Sequence, residues 1–168
     1  MSVADRPHIQ YVAETMKAEF ELIQTSKGYY SNVQYVAFPD FGPSDVDRIL
    51  SVPDVPALLI WIVRIGQGEN EYTFGDKIPE AQVEVLGVVR SMNVQWDLLK
   101  LHEDLRRVML GNPERKYPGQ ASPPYVGVNT REAPMGAEFL VEKQEDSAIG
   151  VFASTWYVSY ITRTTEKT

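Results

Sequence analysis

Apolar residues recur every three or four positions between residues 91 and 111, the spacing of one face of an α-helix. Polar residues fill the positions between them, and Gly111 followed by Pro113 marks an end. The pattern predicts an amphipathic helix over residues 91–111 that lies on a sheet. Its apolar stripe consists of Val94, Leu98, Leu101, Leu105 and Val108, and its polar side of Asp97, Lys100, Asp104 and Arg107.

A second helical pattern covers residues 7–27 and ends at Gly28. Its apolar positions follow the same spacing, so we expect a second helix on the same sheet. A proline-rich connector spans residues 41–56. Within it, residues 44–50 fit one short helical turn with Ser44 as the cap and Asp47 at the third position.

The remaining apolar segments have the pattern of β-strands. They follow one another with only the two long helices among them. This succession predicts an α+β fold, in which a mainly antiparallel or mixed β-sheet carries two α-helices packed on one face, plus long loops or a hairpin arm. The predicted strands cover residues 29–38, 57–65, 81–90, 125–131, 139–141 and 149–163, with a turn over residues 133–136 and another over residues 144–147.

The segment over residues 57–65, ALLIWIVRI, is apolar without alternation. A strand of this kind is buried on both faces of its sheet. The helices can cover one face. The cover of the other face is either a second subunit or this chain's own long loops, and the residues do not decide between them.

We expect residues 1–168 to form a single domain. A glycine-rich, acidic stretch over residues 66–80 is expected to be a flexible loop or arm. Residues 112–124 are expected to form a proline-rich loop, and residues 164–168 a frayed tail.

The composition excludes several classes of protein. The chain has no cysteine, which excludes disulfides and thiolate metal sites. The formal net charge of −7 is opposite to the sign expected for a protein that grips nucleic acid. The first twelve residues have no basic segment followed by an apolar run, and no run is long enough to cross a bilayer, so we expect a soluble, non-secreted protein.

The motifs that carry chemistry are missing from the sequence. His8 and His102 each stand alone, and His102 is expected to lie at the boundary of its helix's apolar stripe. The Gly66-Gln67-Gly68 triplet follows a strand but lacks a third glycine and a helix, so a dinucleotide site is not expected. We therefore expect no enzyme, no catalytic residue, no cofactor and no metal site.

The aromatic residues are the more informative group. Most are expected in the core, and some remain for subunit contacts, where tryptophan and tyrosine concentrate binding energy. Trp96 lies off the stripe of its helix and is predicted either to contact another subunit or to cover the edge of the sheet. The predicted subunit interface comprises Trp61, Trp96, Tyr72 and Phe74.

The chain resembles the tail terminator, or tail completion, proteins of long-tailed bacteriophages. The resemblance covers most of the chain and lies in the order of its parts. These are the opening helix ending in KGYYSNVQYV, the apolar strand PALLIWIVRI after a proline-rich connector, the strand VEVLGVV, the helix WDLLKLHEDLRRVML and the last strand FASTWYVSYITRT.

The resemblance implies a homo-hexameric ring at the head-proximal end of the tail tube. Such a ring ends tube polymerisation and provides the surface that joins the filled head. The implied partners are the tail tube protein and a head completion or stopper protein, and the implied location is the virion tail, after assembly in the host cytoplasm. The alternatives are another head–tail connector, such as a stopper or adaptor, and a small-ligand-binding or catalytic α+β domain.

A ring that DNA passes through without specific binding should present a neutral or acidic lumen, because a basic one would hold the DNA. One of two acidic groups is predicted to face that path, and the alternative is that the acids only keep the protein in solution. The candidates are Glu69, Glu71 and Asp76 in the first group, and Glu138, Glu142, Glu145 and Asp146 in the second.

Overall fold

Three helices and five strands make up the fold in a computed structural model, which describes residues 8–71, 77–111, 128–144 and 146–160. A single 3₁₀ turn, Thr25–Lys27, follows the first helix. The helices are α1 (His8–Glu21), α2 (Val46–Leu50) and α3 (Val94–Gly111), and the strands are β1 (Tyr35–Ala37), β2 (Ala57–Glu71), β3 (Lys77–Ser91), β4 (Val128–Lys143) and β5 (Ala148–Tyr160).

The strands form one mixed sheet in the order β1-β2-β3-β5-β4. Only β1 and β2 are parallel, and the other three pairs are antiparallel. The predicted α+β class, with its mixed sheet and helices packed on it, is confirmed. Strands β2 and β3 form a long hairpin that includes most of residues 66–80, where a loop or arm is expected from the sequence.

The two long helices lie on one face of the sheet, called here the helix face. All five residues of the predicted α3 stripe are buried there against β3 and β5. Close packing is possible because glycines stand under bulky side chains: a Cβ on Gly150 would lie 2.7 Å from Val94 Cγ2, and one on Gly87 would lie 2.1 Å from Phe152 Cε1. These two glycines therefore set how closely α3 and the Phe152 ring approach the strands.

The opposite face, called the second face, is half covered by the connector that contains α2. Ile49 and Val52 pack with Leu59, Leu86 and Val88 into a separate apolar cluster. The Trp61 indole donates a hydrogen bond of 2.6 Å to the Phe41 carbonyl in the same connector. The sequence allows either a second subunit or the chain's own loops to cover this face. Over the first half of β2, the cover is the chain's own connector.

Several predicted boundaries are wrong. Residues 128–131, the described part of the 125–131 segment, and residues 139–141 belong to one strand, β4, which continues through an irregularity between Glu132 and Ala137 instead of turning. The first strand is only three residues long, because the chain before it is tied to α3. Asp45, not Ser44, caps α2, accepting from the Arg48 amide at 3.3 Å. The 112–124 loop and the 164–168 tail lie outside the described residues.

Asp104 is also not where the pattern places it. Its carboxylate is fully buried and accepts hydrogen bonds from the backbone amides of Tyr30, at 3.0 Å, and Ser31, at 2.8 Å. Arg107, one turn later, lies 3.6 Å from the same carboxylate and donates to the Gly28 carbonyl at 3.0 Å. The predicted polar side of α3 thus anchors the chain between α1 and β1.

Candidate assembly interface

Exposed apolar side chains collect at two opposite margins of the sheet. The first, called the β2 margin, comprises Ile62, Val63, Arg64 and Ile65. Its three apolar side chains are all exposed, Ile65 to 53%. Soluble proteins seldom leave such residues contiguous on the surface without a binding role.

The β2 margin is open because β1 is short. Strand β1 pairs only with residues 57–59 of β2, so beyond Leu59 the outer side of β2 has no strand partner among the described residues. The register with β3 pairs Ile62 with Val83, which places Ile62 on the helix face. It shifts at Val63 and then pairs Arg64 with Gln82, which places Arg64 on the second face.

The second margin, called the β4 margin, is residues 138–142, which read Glu-Phe-Leu-Val-Glu. Strand β4 is the last strand of the sheet, and within the described ranges its outer side is unpaired. Its register with β5 places Phe139 and Val141 on the helix face and Leu140 on the second face. All three are exposed, Leu140 to 56%, so this edge is apolar on both faces.

Contacts with α3 hold the β4 margin in place from one side. The His102 ring packs edge-on between Phe139 and Phe152, with ring centroids 5.5 and 5.1 Å away. Arg106 donates to Glu132 at 3.1 Å farther along the strand. The Phe139 ring is therefore oriented by the domain's own core, while nearly half of it stays accessible.

His102 is the most unusual titratable group beside this margin. Its Nε2 atom is buried without a hydrogen-bond partner within the described part of the chain and lies 3.9 Å from Glu132. Burial lowers the pKa of His102 from its ordinary value, which outweighs the opposing influence of the Glu132 carboxylate. Burial thus favours the neutral form of the imidazole beside the edge strand.

An apolar groove runs along the β2 margin between β2 and α1. It has a volume of about 410 Å³, and its polar lining, Gln10 and Glu14, is hydrogen-bonded to each other at 3.2 Å. A second groove of about 480 Å³ shares Phe38 and Pro39 with it. Both are open to solvent and mostly apolar, which suits an extended apolar segment better than a polar small molecule.

The uncovered half of the second face is polar. Arg131 lies over the Tyr157 ring, 4.3 Å from its centroid, and reaches Glu80 at 3.5 Å. Glu84, between Trp61 and Thr155 in the register, has a pKa raised by burial. No three metal-ligating side chains of the described residues lie close enough together to hold a metal ion.

The structure disperses the predicted interface aromatics. Trp61 is half-buried against the connector, with its ring edge-on to Phe41 at 6.1 Å. Trp96 is 65% exposed near the start of α3 and remains a candidate for a subunit contact. Tyr72 and Phe74 lie outside the described residues.

The predicted lumen acids are divided in the same way. Glu138, Glu142 and Asp146 are exposed, the first two within the β4 margin. Glu69 and Glu71 lie in β2, and the structure describes only the backbone of these two residues. Asp76 and Glu145 lie outside the described residues.

The sequence analysis missed the apolar side chains of both margins. For the β2 margin, the run of residues 57–65 predicts burial on both faces, and it does not show that the neighbouring β1 is shorter than the predicted strand over residues 29–38. The signal for the β4 margin was the apolar triplet of residues 139–141 between two glutamates.

A comparison with protein families and with characterised proteins found no match to this chain. None of the helices in the described ranges has the length and apolar character that crossing a bilayer requires.

Proposed function

We propose that this protein is a tail terminator of a long-tailed bacteriophage, a structural protein that forms a ring at the head-proximal end of the tail tube. The observation that carries the proposal is the pair of exposed apolar margins at opposite ends of one sheet. Two different apolar surfaces on one subunit favour head-to-tail association. Such an association closes into a ring when the rotation between neighbouring subunits returns to the first subunit.

The order of elements supports the same proposal. The resemblance to tail terminators depends on this order. It runs from a helix through a short strand, a connector and a long hairpin to a helix that packs on the sheet and a final pair of strands. In this proposal the ring has six subunits. It contacts the tail tube protein on one side and a head completion or stopper protein on the other, and lies in the virion after assembly in the host cytoplasm.

The acidic character of the chain fits a passage for DNA. With a net charge of −7 per chain, a ring repels the phosphate backbone unless its lumen is selectively basic. We propose that one of the two acidic groups faces the DNA path, either Glu69, Glu71 and Asp76 or Glu138, Glu142, Glu145 and Asp146.

A different head–tail connector, a stopper or adaptor, would use the same margins. A small-ligand-binding domain is the candidate favoured by the groove between α1 and β2, although the mutual hydrogen bond of its polar residues favours an apolar occupant.

The test is a tube-capping assay with the purified protein. Tail tube protein is polymerised with and without it, and lengths are measured by electron microscopy, while light scattering gives the oligomer mass. We expect rings of six subunits at one tube end and shorter tubes. Tubes of unchanged length with no density at their ends would refute the terminator role, and binding only to head-side proteins would favour the stopper or adaptor.

A matched pair of variants ties the result to the margins. Leu140→Lys places a charge in the β4 margin and should abolish ring formation and capping. Val46→Lys changes a side chain of similar exposure, 51% against 56%, on α2 and should leave both unchanged.

A further inference from the structure

We propose that the β4 margin of one subunit pairs with the β2 margin of a second copy of this chain, so that one continuous sheet passes from subunit to subunit. The inference deepens the proposed function, because it rests on the ring proposed there and names the surfaces that would close it. It also makes a structural claim that holds for any head-to-tail assembly of this protein.

The strand directions permit this pairing. Strands β2 and β4 are separated by three antiparallel steps, β2–β3, β3–β5 and β5–β4, so they run in opposite directions. Within one subunit the register puts Leu140 level with Ala57, so the contact also needs a displacement along the strands that brings residues 62–65 beside the β4 margin. A ring whose strands are inclined to its axis supplies this displacement and preserves the strand directions. A second copy placed beside β4 therefore presents its β2 antiparallel to it, the arrangement that joins two strand edges with well-aligned hydrogen bonds.

The helix-face side chains at the two margins are complementary. Ile62 and Ile65 extend from one margin, and Phe139 and Val141 from the other, all exposed in the single subunit. Pairing the margins brings these four side chains together on one face of the continuous sheet. Their burial supplies the apolar contact that a lone strand edge lacks.

The second-face side chains carry opposite charges. Arg64 extends from the β2 margin, while Glu138 and Glu142 extend from the β4 margin on either side of Leu140. None of these three charged groups has an ion-pair partner among the described residues. Across the proposed contact, one arginine meets two glutamates.

The same charges argue against the other simple pairing. Two β4 margins joined by a twofold axis would bring Glu138 and Glu142 of one copy beside the same glutamates of the other. Like charges opposite one another destabilise a strand pair. The occupant of the β4 margin is therefore the β2 margin of a different copy.

Engineered disulfides test the contact directly, because the chain has no cysteine of its own. Arg64→Cys is combined in turn with Glu138→Cys, Leu140→Cys and Glu142→Cys. All four positions lie on the second face, and alternate residues of the β4 margin sample three registers. After oxidation over a range of protein concentrations, non-reducing electrophoresis separates the cross-linked species.

We expect at least one double variant to give a ladder of dimers, trimers and larger species, and each single variant to stay monomeric. Arg64→Cys with Lys100→Cys, on the exposed side of α3, is the control pair and should give no ladder. No ladder above this control at any concentration overturns the proposal. Dimers from Leu140→Cys alone also overturn it, because they indicate pairing of two β4 margins.

A charge exchange gives a second measurement that does not depend on geometry. The double variant Glu138→Lys/Glu142→Lys should lower the association constant at least about fivefold, measured by sedimentation velocity, and adding Arg64→Glu should restore it. Circular dichroism melting checks that each variant folds. If Arg64→Glu fails to restore association in folded protein, the charge pairing is wrong.

The outcomes separate this contact from the proposed function. A ladder without capping of tail tubes supports the contact and refutes the terminator role. Six-membered rings on tube ends without a ladder support the terminator role and refute the contact.

Discussion

At the residue scale, Asp104 shows how a polar position can be a structural anchor. The heptad-like spacing of α3 places it off the apolar stripe, yet its buried carboxylate receives two backbone amides of residues 30 and 31. Sequence spacing shows which side of a helix a residue occupies, but not that a loop folds over that side.

Replacing Asp104 should therefore be costly. Asp104→Ala leaves two part-buried backbone amides and the Arg107 guanidinium without the buried carboxylate that they contact, and we expect a loss of about 3 kcal/mol in the free energy of unfolding, measured by urea denaturation. Asp97→Ala, at a partly exposed position two turns earlier on the same side of α3, should change it by less than about 0.5 kcal/mol. Equal losses in the two variants would show that the anchoring contact contributes nothing.

His102 should make the stability of the fold depend on pH. Burial, the largest influence, lowers its pKa below the ordinary 6.5, although Glu132 and Glu103 act in the opposite direction and Arg106 acts with burial. Below pH 6.5 the unfolded chain then binds more protons at this site than the folded one, so stability decreases as pH falls.

The matching measurement compares wild type with His102→Gln between pH 7.5 and 5. The wild type should lose more stability over this range than the variant, whose residual slope reports the other titrating groups. Parallel profiles for the two proteins would contradict the assignment.

At the element scale, the sequence predicted best where one periodicity holds throughout. The stripe of α3 is buried as predicted, and in β5 Phe152, Trp156 and Val158 share the helix face, as their alternation indicates. Element type and core face follow from period alone in these two cases.

Strand β4 and the outer half of β2 show where period is insufficient. Pro134 and Gly136 read as a turn, but Gly136 adopts a positive φ of 70° within an irregularity and the strand continues. In β2, the apolar run predicts burial, whereas the length of the neighbouring β1 decides how much of it is covered. Both candidate margins were missed for this reason: they depend on where a neighbour stops.

The contact between β3 and β5 offers a sharp test of packing. Gly87→Ala introduces a methyl group within 2.8 Å of three Phe152 ring atoms and should destabilise the protein by about 2–3 kcal/mol, measured by chemical denaturation. Gly42→Ala is the control, since a methyl there meets no atom within 4 Å. If Gly87→Ala is neutral, the Phe152 ring moves aside at no cost and the tight contact does not specify the sheet.

At the scale of the whole molecule, the proposed contact between margins divides the acidic residues between two roles. In that proposal Glu138 and Glu142 belong to the subunit contact, so of the two proposed acidic groups the one formed by Glu69, Glu71 and Asp76 is assigned to the DNA path. Reversing these three to lysine should slow DNA ejection and preserve ring assembly, whereas reversing Glu138 and Glu142 should impair assembly first.

Ejection kinetics and ring mass, measured on the same two variants, distinguish the roles. Unchanged ejection with lysines at positions 69, 71 and 76 would assign those acids to solubility alone.

The open outer side of β4 has a consequence for the chain before assembly. A strand edge that accepts the correct neighbour also accepts an incorrect one, and an apolar triplet on such an edge promotes fibrillar aggregation. Glu138 and Glu142 bracket that triplet as gatekeepers, whose charge keeps unassembled copies apart. Neutralising both, as Glu138→Gln/Glu142→Gln, should bring forward the onset of thioflavin fluorescence in concentrated protein, while Asp97→Asn should not. The two glutamates would then have two roles: they would prevent aggregation of the unassembled subunit and select its partner in the ring.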